Sequence, residues 1–159
     1  MCNNAGVAIE SKLPRLLGIW ETPDEQFDKT MQVNLRGVFL GCKYAGAQMI
    51  KQEPHERGDR GWIINTASIL GLVGCYGTSS YSAAKGGVVN LTRTAALDFM
   101  MHRIHCNAIC PGCELIFRCL VESTNSEKRY RYRNDREFFE GISGKNIVNA
   151  AIQGAGKSR

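Results

Sequence analysis

The stretch YSAAKGG, residues 81–87, opens a helix and places two reactive side chains on one face of it. Tyr81 and Lys85 are four residues apart, so on an α-helix they lie one above the other. The apolar residues around them recur at helical spacing and predict a helix from about Ser80 to Met101. The residues of its apolar face are Ala84, Val88, Leu91, Ala95 and Phe99.

Strands and helices alternate along the chain on either side of this helix. Residues 1–9 are predicted to be the end of a strand that runs into a loop, and the short apolar runs at 62–67 and 104–109 predict two further strands. A long helix is predicted over residues 23–50. The order strand, helix, strand, helix, strand predicts an α/β fold with a parallel sheet covered by helices.

The long helix has a start signal and a weak point. Thr22 is predicted to cap it, with Pro23 at the first helical position and Glu25 completing a capping box. Asn34 and Gly37 have poor helix propensity, so we expect the helix to be bent or interrupted there.

Tyr81 and Lys85 together form a plausible acid–base pair. A phenol has a reference pKa of about 10, and both a neighbouring ammonium group and a helix N-terminus favour its ionised form. Ser68 ends the preceding strand, at the edge where parallel sheets place their sites, and its hydroxyl is expected to hold a substrate oxygen. Taken alone, the Tyr-x-x-x-Lys spacing also fits two side chains on a solvated helix face.

Four further motifs accompany this pair in a fixed order. They are NNAG at residues 3–6, VNLRGVF at 33–39, INTAS at 64–68 and NAICPG at 107–112. With residues 81–87 they resemble the short-chain dehydrogenase/reductase family, over about residues 3–112 of the chain.

The resemblance implies a partial Rossmann-type three-layer fold and hydride transfer between NAD or NADP and an alcohol or ketone. By resemblance, Tyr81 is the general acid/base, and Lys85 lowers its pKa and holds the nicotinamide ribose. Ser68 orients the substrate oxygen, and Asn34 anchors a water that relays protons from Lys85.

Further residues are assigned to the cofactor and to oligomer contacts by the same resemblance. The expected cofactor-binding residues are Asn3, Asn4, Ala5, Gly6, Tyr81, Lys85, Pro111 and Gly112. The helices at 23–50 and 80–101 correspond to the family's usual oligomer interface, so a homo-oligomer is expected.

The sequence departs from the family pattern at both ends. The first strand and the Gly-rich phosphate-binding turn of the family have no counterpart before Met1, so we expect binding of NAD or NADP to be weak or absent. We divide the chain into a partial catalytic domain, residues 1–113, and a divergent, poorly ordered tail, residues 114–159.

Composition narrows the class of protein. The 159 residues are 43% hydrophobic and 22% charged with a net charge of +5. No apolar run approaches roughly 20 residues and the first residues lack the pattern of a signal peptide, so neither a membrane span nor a signal peptide is expected. Seven cysteines, mostly in apolar patterns, predict reduced thiols in a cytoplasmic protein. Cys110 and Cys113 lack a second pair at metal spacing, so no metal site is expected.

Two other functions remain open from the sequence. The chain is alternatively a catalytically inactive fragment that pairs with full-length relatives through its two long helices. A less favoured alternative is nucleic-acid binding through the basic stretch 128–136, in which Tyr130 and Tyr132 interleave with Lys and Arg.

Overall fold

The computed structural model describes residues 1–112, which form one sheet and three helices. The strands are β1, Cys2–Asn3, β2, Gly61–Thr66, and β3, Ile104–Ile109. The helices are α1, Asp24–Met31, α2, Gly37–Lys51, and α3, Ser79–Asp98. A π-helical segment, Gln32–Arg36, joins α1 to α2, and short 3-10 turns lie at Glu10–Lys12, Ile19–Glu21, Ile69–Gly71 and Met100–His102.

The sheet is parallel and has the strand order β1-β2-β3. Ile64 at its centre pairs with Cys2 of β1 and with Asn107 of β3. The connection from β1 to β2 contains α1 and α2, and the connection from β2 to β3 contains α3. The predicted α/β fold with a parallel sheet, a partial Rossmann-type arrangement, is therefore confirmed.

In the described residues, helices cover one face of the sheet. Asn65 of β2 contacts both Cys42 of α2 and Thr92 of α3, so the two helices pack on the same side. Trp62 and Ile109 point to the other side and are 46% and 45% exposed. The prediction of a buried strand is thus right for one face of β2. Of the three predicted layers, residues 1–112 supply two, the sheet and one layer of helices.

The predicted long helix is present, with its distortion where the sequence placed it. α1 passes directly into the π-helical segment Gln32–Arg36 and then into α2. Asn34 lies inside that segment and is completely buried. A π-helical turn carries one residue more than an α-helical turn, and such turns are frequent at functional sites.

The predicted cap of this helix is wrong. Pro23 occupies the capping position of α1, and no side chain there bonds to the first turn. The hydroxyl of Thr22 instead donates to the carbonyl of Gly18 at 3.1 Å. The side chain of Thr22 is thus directed towards the preceding turn and not towards α1. The chain enters α1 directly from the 3-10 turn Ile19–Glu21, and the backbone amide of Thr22 makes the last hydrogen bond of that turn.

α3 is shorter than the helix predicted over residues 80–101. It ends at Asp98, and residues Met100–His102 form a 3-10 turn instead. The turn closes on Arg103, which adopts a left-handed conformation with φ of 55° and starts the approach to β3. The chain therefore leaves the helix early because it must reverse within a few residues to enter the sheet.

A polar cluster lies in the centre of the core. The side-chain amide of Asn65 accepts a hydrogen bond from Asn3 at 2.8 Å and donates one to Thr92 at 2.9 Å. The sulfur atoms of Cys42 and Cys106 lie 3.5 Å and 3.6 Å from the same amide nitrogen. This one side chain links all three strands to α2 and α3.

Several sequence predictions fall outside the described residues. The tail, residues 114–159, and the basic stretch 128–136 are among them. Within residues 1–112, none of the helices is long and apolar enough to cross a membrane.

We expect Asn65→Ala to lower the free energy of unfolding by about 3 kcal/mol, because the buried amide of Asn3 and the hydroxyl of Thr92 would each lose a partner. Urea unfolding followed by circular dichroism measures this change. Asn90→Ala removes the same groups from an exposed position of α3 and is the matched control. Equal stability of the two variants would contradict the importance of the cluster.

Candidate active site

The loops that follow the three strands meet at the carboxyl edge of the sheet. The amide of Ile69, after β2, donates to the carbonyl of Pro111, after β3, at 2.9 Å. The hydroxyl of Thr66, the last residue of β2, donates to the side chain of Asn4, after β1, at 3.0 Å. The first turn of α3 reaches the same edge, which brings most of the predicted site residues together.

Lys85 is the central charge of this edge. Its side chain is only 3% exposed, and its ammonium group donates to the carbonyl of Thr66 at 2.7 Å. Burial lowers the pKa of Lys85, and the nearby Cys110 thiol acts in the opposite direction. The Lys85 nitrogen lies 5.6 Å from the centre of the Tyr81 ring, so the spacing read from the sequence does place the two groups side by side.

Asn34 and Gly6 complete one side of the cluster. The Asn34 amide accepts a hydrogen bond from the Val7 amide at 2.8 Å and donates to the Val7 carbonyl at 2.7 Å. A β-carbon placed on Gly6 would lie 3.3 Å from the Asn34 side-chain oxygen and 3.7 Å from the Lys85 nitrogen. The loop after β1 therefore approaches the lysine closely because it carries glycine at this position.

Ser68 lies at the start of the 3-10 turn Ile69–Gly71 and is 8% exposed. Its hydroxyl oxygen accepts the Leu70 amide at 3.2 Å, which leaves the hydroxyl hydrogen to donate elsewhere. The turn presses against α3, since a β-carbon on Gly71 would come within 2.7 Å of the backbone of Lys85. This close contact sets the position of Ser68 relative to the helix that carries Tyr81.

The other predicted cofactor residues divide into two groups. Asn4, Ala5, Pro111 and Gly112 are exposed at the carboxyl edge. Asn3 is not, because its side chain points into the core and bonds to Asn65. Within the described residues, Asn3 therefore stabilises the carboxyl edge through its hydrogen bond in the core and is not itself exposed at that edge.

Three groups at this edge were missed by the sequence analysis. Glu10 accepts the backbone amide of Tyr81 at 3.0 Å, across 71 residues of chain. Cys110 lies at the end of β3, and burial raises the pKa of its thiol. The Thr66 carbonyl belongs to the backbone and carries no side-chain signal. No local pattern connects Glu10 to Tyr81, so only the fold reveals that contact.

The arrangement fits one end of a nicotinamide cofactor better than the other. Lys85 supplies a cation that would donate to ribose hydroxyls, and Gly6 places no side chain beside it. A pyrophosphate needs backbone amides at a helix start. In residues 1–112, α1 starts with Pro23 and two acidic residues, and the first turn of α3 already binds Glu10. Neither start suits an anion.

The chain matches known proteins over most of its length. The sequence profile of the short chain dehydrogenase family matches residues 1–116. The 2-(R)-hydroxypropyl-CoM dehydrogenase of Xanthobacter autotrophicus is 43% identical over 112 residues, which are 70% of this chain and 41% of that protein. The levodione reductase of Leifsonia aquatica is 39% identical over 143 residues, 87% of this chain and 46% of that protein.

A solved structure agrees with the sequence matches. The crystal structure of a short chain dehydrogenase from Mycobacterium smegmatis has a TM-score of 0.59 and 29% identity, over 70% of this chain and 41% of that one. The chain thus spans less than half the length of each of these relatives.

We expect Gly71→Ala to destabilise the protein by about 1–3 kcal/mol, because the added methyl group collides with the backbone of Lys85. The measurement is thermal or urea unfolding. Gly74→Ala in the same loop is the matched control, since nothing lies within 4 Å of its added carbon. A variant at residue 71 as stable as the control would show that the loop does not press on α3.

Proposed function

The chain belongs to the short-chain dehydrogenase family, and from that premise we propose that it is an NAD(P)-dependent oxidoreductase that interconverts an alcohol and a ketone. The observation that supports this most is the position of Lys85. A buried ammonium group, held by the Thr66 carbonyl, lies beside the ring of Tyr81 and next to Gly6. Such a pair is suited to moving a proton to or from a substrate oxygen.

In the proposed reaction, Tyr81 donates its phenolic proton to the carbonyl oxygen during reduction and takes it back during oxidation. The positive charge of Lys85 stabilises the phenolate that forms, because the two groups lie in a partly buried site where charge interactions are strong. When bound, the nicotinamide supplies or accepts the hydride at the adjacent carbon.

Ser68 and Asn34 have supporting roles in this proposal. Ser68 donates its hydroxyl hydrogen to the same substrate oxygen and stabilises negative charge on it. Asn34 anchors a water between Lys85 and solvent. Because its side chain already makes two hydrogen bonds to Val7, the water would be held by a remaining amide hydrogen, a lone pair or the main-chain carbonyl.

Cofactor contacts follow from the same edge of the sheet. Lys85 and Tyr81 would hold the nicotinamide ribose, and Pro111 and Gly112 would lie beside the nicotinamide. The loop Asn4–Gly6, supported by Asn3, would line the adenosine ribose. We propose NAD or NADP without a preference, and we expect weak binding because residues 1–112 offer no suitable helix start for the pyrophosphate. A cytoplasmic location is part of the same proposal.

The test is reduction of a panel of ketones and oxidation of secondary alcohols, followed by absorbance of the reduced nicotinamide. We expect Tyr81→Phe to lower the rate by about 10²–10⁴-fold, since the proton donor is lost while the ring remains. Tyr44→Phe, at a 64% exposed position of α2, removes a phenol far from the edge and should keep full activity.

Titration with NADH and NADPH, followed by nicotinamide fluorescence, separates binding from turnover. Full activity in Tyr81→Phe would end the assigned role of Tyr81. Absence of both cofactor binding and turnover in the unmodified chain would favour the second candidate.

That second candidate is an inactive chain that pairs with a full-length relative or with itself. It is favoured by an exposed groove where α3 meets the long helix α1–α2. The groove is lined by Asp28, Met31, Gln32, Leu35, Arg36, Phe39, Gly87 and Leu91. Phe39 is 47% exposed in this groove and would be covered by a partner.

If the groove is an oligomer interface, the chain should self-associate, and Phe39→Arg should shift it to the monomer because an arginine would be buried without a partner. Sedimentation velocity over a range of concentrations measures the assembly state. Tyr44→Arg, on an exposed part of the same helix outside the groove, is the control. A monomer at every concentration would contradict self-association through the groove.

A further inference from the structure

The first turn of α3 is capped in an unusual way. The first amides of a helix have no partner within the helix, and the side chain just before the helix normally accepts one of them. Thr78 holds that position but makes no such bond. Its hydroxyl donates to the Cys75 carbonyl at 2.8 Å and lies 2.9 Å from the Ser82 hydroxyl. The amide of Tyr81, third in the helix, bonds instead to Glu10.

Glu10 is an unfavourable residue to bury at the start of α3. It is 5% exposed, one carboxylate oxygen accepts the Tyr81 amide at 3.0 Å, and the other has no hydrogen-bond partner among residues 1–112. Burying a carboxylate with an unpaired oxygen costs free energy, while a neutral glutamine would accept the same amide. A carboxylate at this place gains, however, from the partial positive charge of the helix start, and its own negative charge acts on the other groups at that helix start.

The charge of Glu10 lies at the start of the helix that carries the phenol. A carboxylate at a helix start offsets the partial positive charge of the helix N-terminus. Lys85, one turn further along α3, is the opposing cation beside the Tyr81 ring. Among residues 1–112, the titratable groups near Tyr81 include Glu10 from the loop after β1 and Lys85 from its own helix, and the Cys110 thiol, directly after β3, lies near Lys85.

We propose that Glu10 is a positioning residue for Tyr81, which fixes the backbone from which the phenol projects and sets a negative charge at the start of the helix that also carries Lys85. The inference deepens the proposed function and rests on it for the role of Tyr81 as proton donor. The contact itself is independent of any cofactor, so it is tested on the chain alone.

The test is a titration of the tyrosine phenols by carbon-13 NMR, with the Tyr81 signal assigned by its loss in Tyr81→Phe. Glu10→Gln keeps the amide acceptor and removes the charge. Because a nearby negative charge disfavours the phenolate, its removal should lower the midpoint of the Tyr81 titration by on the order of half a pH unit. Glu25→Gln, an exposed carboxylate on α1, is the matched control for net charge.

An unchanged Tyr81 midpoint in Glu10→Gln, or an equal shift in Glu25→Gln, overturns the proposal. If Glu10→Gln does not fold, two measurements on the unmodified protein test the proposal instead. The Tyr81 amide should then be protected from hydrogen exchange, and its proton shift should follow the titration of a carboxyl group. A fast-exchanging Tyr81 amide, or one insensitive to that titration, overturns the proposal equally.

Failure of this inference is distinguishable from failure of the proposed function. A shifted Tyr81 titration in a chain without turnover supports the contact with Glu10 and removes the enzymatic role. Turnover that depends on Tyr81, with no response of its titration to Glu10→Gln, supports the enzymatic role and removes the positioning role.

Discussion

The hydrogen bond from the Lys85 ammonium group to the Thr66 carbonyl is the contact on which the site depends. It ties α3 to the last residue of β2, and it holds a charge in a place that is almost closed to water. Two glycines allow it: Gly6 lets the loop after β1 come close, and Gly71 lets the loop after β2 lie against the helix backbone. The carboxyl edge is therefore organised around one cation rather than around a cavity.

The sheet beneath this edge is stabilised by polar as well as apolar contacts. β1 has two residues, too few for a strand to be held by ladder bonds alone. The Asn3 side chain compensates by bonding to Asn65, whose amide also reaches Thr92 on α3. Since β1 leads directly into the loop that carries Gly6, the position of that loop depends on a hydrogen bond inside the core.

The sequence predicted the parts of this protein that depend on local pattern. The spacing of Tyr81 and Lys85, the strands that flank α3 and the distortion at Asn34 are all visible within about ten residues of chain. The cap at Thr22 failed because a preceding 3-10 turn took its hydroxyl, and α3 ended early because Arg103 reverses the chain. Glu10 was missed because its partner lies 71 residues away.

The π-helical segment around Asn34 constrains how the chain can vary in length. Each residue of an α-helix advances the side-chain direction by about 100°. Loss of a single residue between Gln32 and Arg36 would remove the extra residue of the π turn and restore a regular α-helix, so Val38 and Cys42 would still face the sheet. A deletion in the regular turns of α1 or α2 would instead rotate the rest of the helix by about 100°, whereas a deletion inside this five-residue segment would alter mainly the position of Asn34.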